Sequence, residues 1–234
     1  MGLSFGFVQP RLMKGDGKGA MGRCLALARS IADADFIVLP EMANIGYRAW
    51  TRDQALRAIK QVGGKHVEAL RDFTAEHNNT IVSGEAMEEK GLLYDCSVVI
   101  SCGKVAYRYR KRHLFGHEIG TFTRGERGPD IVRVGKTAIS SVVCLDSGYT
   151  SELEDLKGRI DALLVPAALS LPKDSASYGS ARTGYHKVLS NWVGSYTFQK
   201  GRIGLTGGSR IVDKDGNVVH QGPSRSEEAY LVTL

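Results

Sequence analysis

The 234-residue chain carries 31 Lys and Arg against 25 Asp and Glu, a formal charge of +6, with 42% of its residues hydrophobic. A chain of this length and composition can bury roughly 70–75% of its unfolded surface around a fixed interior, and the interleaving of its basic and acidic residues argues against a nucleic-acid-binding patch. Its four cysteines, Cys24, Cys96, Cys102 and Cys144, form no CxxC pair and lie away from histidines at zinc spacing, so neither a disulfide framework nor a metal site is expected and reduced thiols in a cytoplasm fit better.

Length allows one or two domains, and residues 1–234 are read as one. The amino-terminal MGLSFGFVQPRLMKGDGKG puts its basic residues after a short apolar run, unlike a signal peptide. Nothing later approaches the ~18 apolar residues of a membrane span. Residues 4–9 and 36–39 read as buried strands separated by helical periodicity over 21–34, a β-α-β opening that implies parallel pairing. Helices follow over 50–62 and 65–76, broken at Gly63-Gly64, and strand returns over 80–85. Residues 92–100 and 105–109 form one hairpin, and 131–134 with 137–144 a second. Helix is expected over 151–157, and strand over 162–166 and 188–193. Residues 209–212 pair with 218–220 across Asp215-Gly216, and 229–232 is a further strand. The mixture of helix pairs and hairpins predicts an α/β protein with helix-covered sheets and some antiparallel pairing. The glycines of KGDGKGAMG match neither phosphate-binding loop pattern.

Three segments place a reactive side chain just past a strand, where open α/β sheets assemble their sites: VLPEMANIGY, YRKRHLFGHE and SVVCLD. Alone, each has a plain reading. Glu41 would be a surface loop acid, Lys111 part of a solvated basic run from Arg108 to His113, and Cys144 a small core hydrophobe at the end of a buried strand. Together they supply complementary chemistry. A thiol of ordinary pKa, near 8.5, is only a few per cent thiolate at neutral pH and needs a cation or base beside it. Lys111 can be the cation and Glu41 the base.

Glu41 in LPE followed by GY, Lys111 in YRKxHLF and Cys144 in VVCxD resemble the three signature blocks of the nitrilase (carbon-nitrogen hydrolase) superfamily in residue type, order and separation. The likeness continues through Glu118 and Phe122-Thr123-Arg124-Gly125, similar to the family's E-xxx-F-T-P-G, and through LLVPAAL, LSNWVG and GGSRIVDKDGNVV. The resemblance implies a four-layer α-β-β-α sandwich, a homodimer or larger homo-oligomer, and no metal or organic cofactor. It also implies a mechanism in which Glu41 takes the thiol proton and Cys144 attacks an amide, carbamoyl or nitrile carbon. Lys111 and the Leu145 N–H would hold the oxyanion, where one donor is worth about 3–4 kcal/mol, and Glu41 would protonate the departing amine and activate water against the thioester. Glu118 matches a family glutamate that positions substrate or the lysine, and Tyr47 would touch Glu41 or substrate or pack as an aromatic.

Several positions depart from the family pattern. C-L-D at 144–146 is similar to the C-x-D of amidases and carbamoylases rather than the C-W-E of nitrilases, so amide hydrolysis is expected. Ser147 stands where members acting on carboxylate-bearing amides often have Arg, which disfavours an acidic substrate anchored there and favours an uncharged or basic one. Arg124 replaces a proline, and 172–190 is short, with Ala181-Arg182 lacking the following Glu-Asn; Ser175, Ser177, Tyr178, Ser180 and Tyr185 read as a flexible loop. His113 is expected to order its loop, and Trp192 and Tyr196 to lie in core or interface. The expected partner is a small-molecule amide or carbamoyl compound, not nucleic acid or membrane. Acyl transfer through the same thioester and a binding protein of drifted pocket are the alternatives.

Overall fold

The computed structural model describes residues 2–13, 19–170 and 182–234. In chain order the strands and helices are β1 Ser4–Gln9, β2 Arg11–Leu12, α1 Ala20–Arg29, β3 Phe36–Val38, α2 Arg52–Val62, α3 Lys65–His77, β4 Thr80–Glu89, β5 Leu92–Ser101, β6 Lys104–Arg110, β7 Val132–Val134 and β8 Thr137–Ser141. They continue as β9 Ala162–Pro166, β10 His186–Ser190, β11 Val193–Phe198, β12 Gly201–Thr206, β13 Arg210–Val212, β14 Val218–Gln221 and β15 Glu228–Thr233. Helix α2 begins at a capping box, in which Thr51 Oγ1 accepts from the Gln54 N–H while Gln54 Oε1 accepts from the Thr51 N–H. It stops at Gly63, whose φ of 58° ends the helix as the glycine pair predicts.

Two six-stranded sheets, ordered β15-β1-β3-β4-β5-β6 and β14-β13-β10-β9-β8-β7, form the centre of the molecule. Strand alternation defines their faces. Ile37 and Ile81 of the first sheet pack with Leu70 and Phe73 of α3 and Cys24 and Ala28 of α1, whereas Phe36, Val38 and Val82 meet Ala162, Leu164 and Val188 of the second sheet. On that sheet's far face Leu163 and Val165 pack against Leu153 and Leu156. These three apolar interfaces define the α-β-β-α order. The outer layer of the second sheet is built, among the described residues, from 3-10 turns over Cys144–Gly148 and Thr150–Leu156.

Several sequence expectations need correction. Residues 188–193 are not one strand: the chain breaks at Asn191-Trp192 because the buried Asn191 side chain accepts from the Leu169 and Trp192 N–H groups and donates to the Gly207 carbonyl. Beyond the break, β11 and β12 form a hairpin that joins β2 in a third, three-stranded sheet, which the pattern did not show. The strand toward Cys144 ends at Ser141, and 151–157 is a 3-10 rather than an α-helix. Ser175, Ser177, Tyr178 and Ser180 lie outside the described residues, whereas Tyr185 is buried with Leu189 against the second sheet. No described helix is long and apolar enough to cross a membrane.

Candidate active site

Glu41, Lys111 and Cys144 arrive from three strand ends at one end of the paired sheets. Glu41 follows β3 in a loop pinned on several sides. Its N–H donates to the Ala167 carbonyl at 3.2 Å, its carbonyl accepts from Trp192 Nε1 at 2.8 Å, and the Ala43 N–H donates to the Gly84 carbonyl at 2.7 Å. Asn44 then clips the loop to β4 through both the N–H and the carbonyl of Ala86. Lys111 continues the inward face of β6, where Tyr109 is buried while Arg108 and Arg110 are exposed. The basic run therefore divides by strand periodicity, and only Lys111 is wholly buried.

The Lys111 ammonium makes ion pairs with Glu41 Oε1 at 2.6 Å and with both oxygens of Glu118 at 2.8 Å. Glu118 sits in the 3-10 turn Gly116–Glu118 and also accepts from the Tyr47 hydroxyl at 2.8 Å and the Phe115 N–H at 2.9 Å. A third buried carboxyl, Asp95 of β5, lies 3.5 Å from Lys111 Nζ and was not singled out from sequence. Its signal was present: a lone acid within the apolar run LLYDCSVVI has to be buried with a partner. Oxygens of Glu41, Asp95 and Glu118 approach within 4.8 Å of one another, a spacing a cation could use, but the Lys111 ammonium already stands among them.

Cys144 opens the 3-10 turn Cys144–Gly148 with a φ of 46°. A side chain in this left-handed region costs about 1–2 kcal/mol, and here the conformation turns the chain out of the sheet. The thiol lies within electrostatic reach of Glu41 and Lys111, with the Ala168 N–H directed at it. Leu145 is the next residue of the same turn. Asp146 ties this turn to the Lys111 loop by accepting from the Tyr109 hydroxyl and the N–H groups of Arg112 and His113. His113 orders that junction through Asp146 at 2.8 Å and stacks on Tyr149 with ring centroids 3.6 Å apart.

Burial shapes the protonation states. Desolvation raises the Glu41 pKa against the opposing pull of Lys111, and it raises the Cys144 pKa well above the ordinary thiol value, with the Glu41 charge adding to the rise. For Lys111 burial favours the neutral amine, but Glu118, Glu41 and Asp95 together outweigh it and hold the ammonium well above its usual pKa. Burial thus favours the thiol form of Cys144, and the surrounding carboxyls favour the ammonium form of Lys111. Trp192 and Tyr196 are buried in the core, as expected, and also border this site: Trp192 holds the Glu41 backbone, and the Tyr196 hydroxyl, its pKa pushed up to about 12 by burial, feels Glu118, Glu41 and Cys144. Ser147 is buried, its hydroxyl donating to the Cys144 carbonyl at 2.6 Å. A cleft of about 700 Å³ opens beside Tyr47 and Tyr196, and Arg11, Arg48 and Arg202 line it.

Two facing sheets between outer layers of helices and 3-10 turns, with carboxylate, ammonium and thiol converging at their strand ends, define a four-layer α/β sandwich with a candidate enzyme site. The family described as "Carbon-nitrogen hydrolase" matches residues 6–234, and the chain belongs to it. It is 26% identical over 210 residues to a nitrilase of Pyrococcus abyssi (strain GE5 / Orsay), covering 88% of this chain and 77% of that one. It is 24% identical over 216 residues to an (R)-stereoselective amidase of Pseudomonas sp, covering 89% and 76%. In three dimensions it is similar to a cysteine-to-alanine variant of the Nesterenkonia AN1 amidase from the nitrilase superfamily, with a TM-score of 0.84 at 20% identity, over 99% of this chain and 90% of that one. A glutamate-to-glutamine variant of the same amidase, which shows Michael addition of acrylamide at its active-site cysteine, matches with a TM-score of 0.80 at 20% identity, over 99% and 93%. The protein is a carbon–nitrogen hydrolase of nitrilase-superfamily fold.

Proposed function

We propose that this carbon–nitrogen hydrolase is a cysteine-dependent amidase of small molecules, working through a thioester on Cys144. The observation that carries the reading is the fully buried Lys111 ammonium, clamped between Glu41 and Glu118 beside the Cys144 thiol. Because the thiol is held protonated, attack requires a base, and Glu41, with its raised pKa, is the carboxylate placed to take the proton. The thiolate then adds to the amide carbon. Lys111 Nζ is held by Glu41 and by both oxygens of Glu118, so it serves the developing oxyanion as a fixed positive charge beside the Leu145 N–H, shifting a donor from Glu118 as the oxyanion forms. Glu41 returns its proton to the departing amine, and the same carboxylate then draws a proton from the water that cleaves the thioester. Glu118 and Tyr47 hold Lys111 in place.

The C-L-D segment at 144–146 and the amidase relatives support amides, while the nitrilase relative keeps nitriles in the substrate panel. Arg11, Arg48 and Arg202 along the adjoining cleft weigh against a cationic substrate, so of the uncharged and basic amides expected from sequence the uncharged ones are favoured. Residues 1–234 act as one catalytic domain, a reading supported by the antiparallel pairing of β1 with β15 inside a single sheet. Four unpaired thiols and the family resemblance support a homo-oligomer working in a reducing cytoplasm.

The test is intact-mass detection of an acyl adduct after exposure to a panel of amides, carbamoyl compounds and nitriles. An adduct from amides on the wild type, absent in a folded Cys144→Ala variant that has also lost turnover, is the expected result. Full activity in Cys144→Ala would end the proposal.

A further inference from the structure

Asp95 takes no part in the reaction above, yet it is wholly buried in β5 and its carboxyl faces the Glu41, Lys111 and Glu118 cluster. At 3.5 Å from Lys111 Nζ it is outside good hydrogen-bond range, because that ammonium is committed to Glu41 at 2.6 Å and Glu118 at 2.8 Å. Among the described residues neither Asp95 oxygen has a donor, and neither does Glu41 Oε2. Oxygens of the Glu41 and Asp95 carboxyls nonetheless lie within 4.8 Å of each other, and each side chain acts on the other as a hydrogen-bond partner. With all groups ionised, one buried ammonium would face three buried carboxylates. A single proton between Asp95 and Glu41 removes one of those charges and supplies the missing donor at the same time.

We propose that Asp95 is a positioning residue that keeps its proton in the working enzyme and donates it as a hydrogen bond to Glu41, holding Glu41 ionised and oriented for the Cys144 thiol. The groups that face the Asp95 carboxyl are Glu41 from the loop after β3, Lys111 after β6, and Glu118 from its 3-10 turn. Its strand neighbours Tyr94 and Cys96 project to the other face. Burial and the Glu41 charge both favour the protonated form of Asp95, and the bond it donates favours in turn the ionised form of Glu41. During turnover the Asp95 O–H bond stays intact while Glu41 accepts and returns the proton of Cys144.

Infrared difference spectra of the resting full-length enzyme at neutral pH test the protonation directly. Wild type is expected to show a protonated-carboxyl C=O stretch that Asp95→Asn lacks, and absence of that band from wild type overturns the proposal. A kinetic arm, which rests on the amidase reading, separates positioning from simple packing. Asp95→Asn retains a donor toward Glu41, whereas Asp95→Leu has none. Asp95→Leu is expected to lose about 10- to 100-fold in kcat, with the acid limb of kcat/KM moved to higher pH. Asp95→Asn is expected to recover most of the rate and the original limb. Equal losses in two folded variants would overturn the donor role. Should wild type turn over no amide, the amidase reading fails, and the infrared band still decides the protonation of Asp95.

Discussion

In the proposed mechanism Glu41 carries the pH dependence. Its folded pKa is raised chiefly by burial, so the ionised, base-competent form is lost as the pH falls through a value above the ordinary carboxylate range. The acid limb of the kcat/KM profile should therefore lie above that range, and Glu41→Gln should lower kcat by about 10²–10⁴-fold and abolish the limb. Lys111 contributes no alkaline loss below its ordinary pKa, since its ammonium is held well above that value. A profile whose acid limb lies at an ordinary carboxylate pKa would contradict the environment described for Glu41. Glu41, Lys111 and Cys144 stood out in the sequence through their joint placement just past strands and through the family resemblance, and the fold brings the three together at one end of the sheets. Asp95 was not legible, because its importance comes from three other segments that fold over it, and Asp146 was read as a substrate-class marker although its carboxylate joins the Cys144 and Lys111 loops.

Among the elements, the contact between β4 and the Glu41 loop sets how accurately the base is aimed. Gly84 is the point of closest approach: a Cβ there would stand 2.4 Å from Glu41 Cα and 2.6 Å from the Pro40 carbonyl oxygen, both backbone atoms that cannot swing aside. Gly84→Ala should cost about 1–3 kcal/mol of stability by overpacking. It should cost activity out of proportion, of order 10²-fold in kcat, because displacing a positioned catalytic group by ~1 Å is enough for that loss. Parallel thermal-melt and kinetic measurements would check the pair of effects, and a stable, fully active Gly84→Ala would refute this account of the loop. The strands and helices with clean periodicity, such as β5 and α3, were predictable from pattern. The β11–β12 hairpin was not, because LSNWVG reads as one apolar run and only the tertiary hydrogen bonds of Asn191 split it.

Across the whole molecule, the layered order means that neighbouring residues of one strand support different things. In β9, Leu164 faces Phe36, Val38 and Val82 between the two sheets, while Leu163 faces the outer turns that carry Leu153, Leu156 and Cys144. Truncating either leucine removes buried apolar volume and should cost about 2–5 kcal/mol, a melting-point drop of roughly 4–20 °C at 2–4 °C per kcal/mol for a chain of this size. The consequences for catalysis should diverge. Leu164→Ala loosens the sheet-to-sheet packing without touching the strand-end loops, so kcat should stay within about twofold at temperatures well below the melting point. Leu163→Ala opens space beneath the turn that presents the thiol, where a misplacement of ~1 Å carries a kinetic penalty of up to about 10²-fold. Comparing kcat and Tm for the two variants measures how far the active site depends on the outer layer. Equal kcat losses in both would show that the strand ends are not held independently of the packing between the sheets.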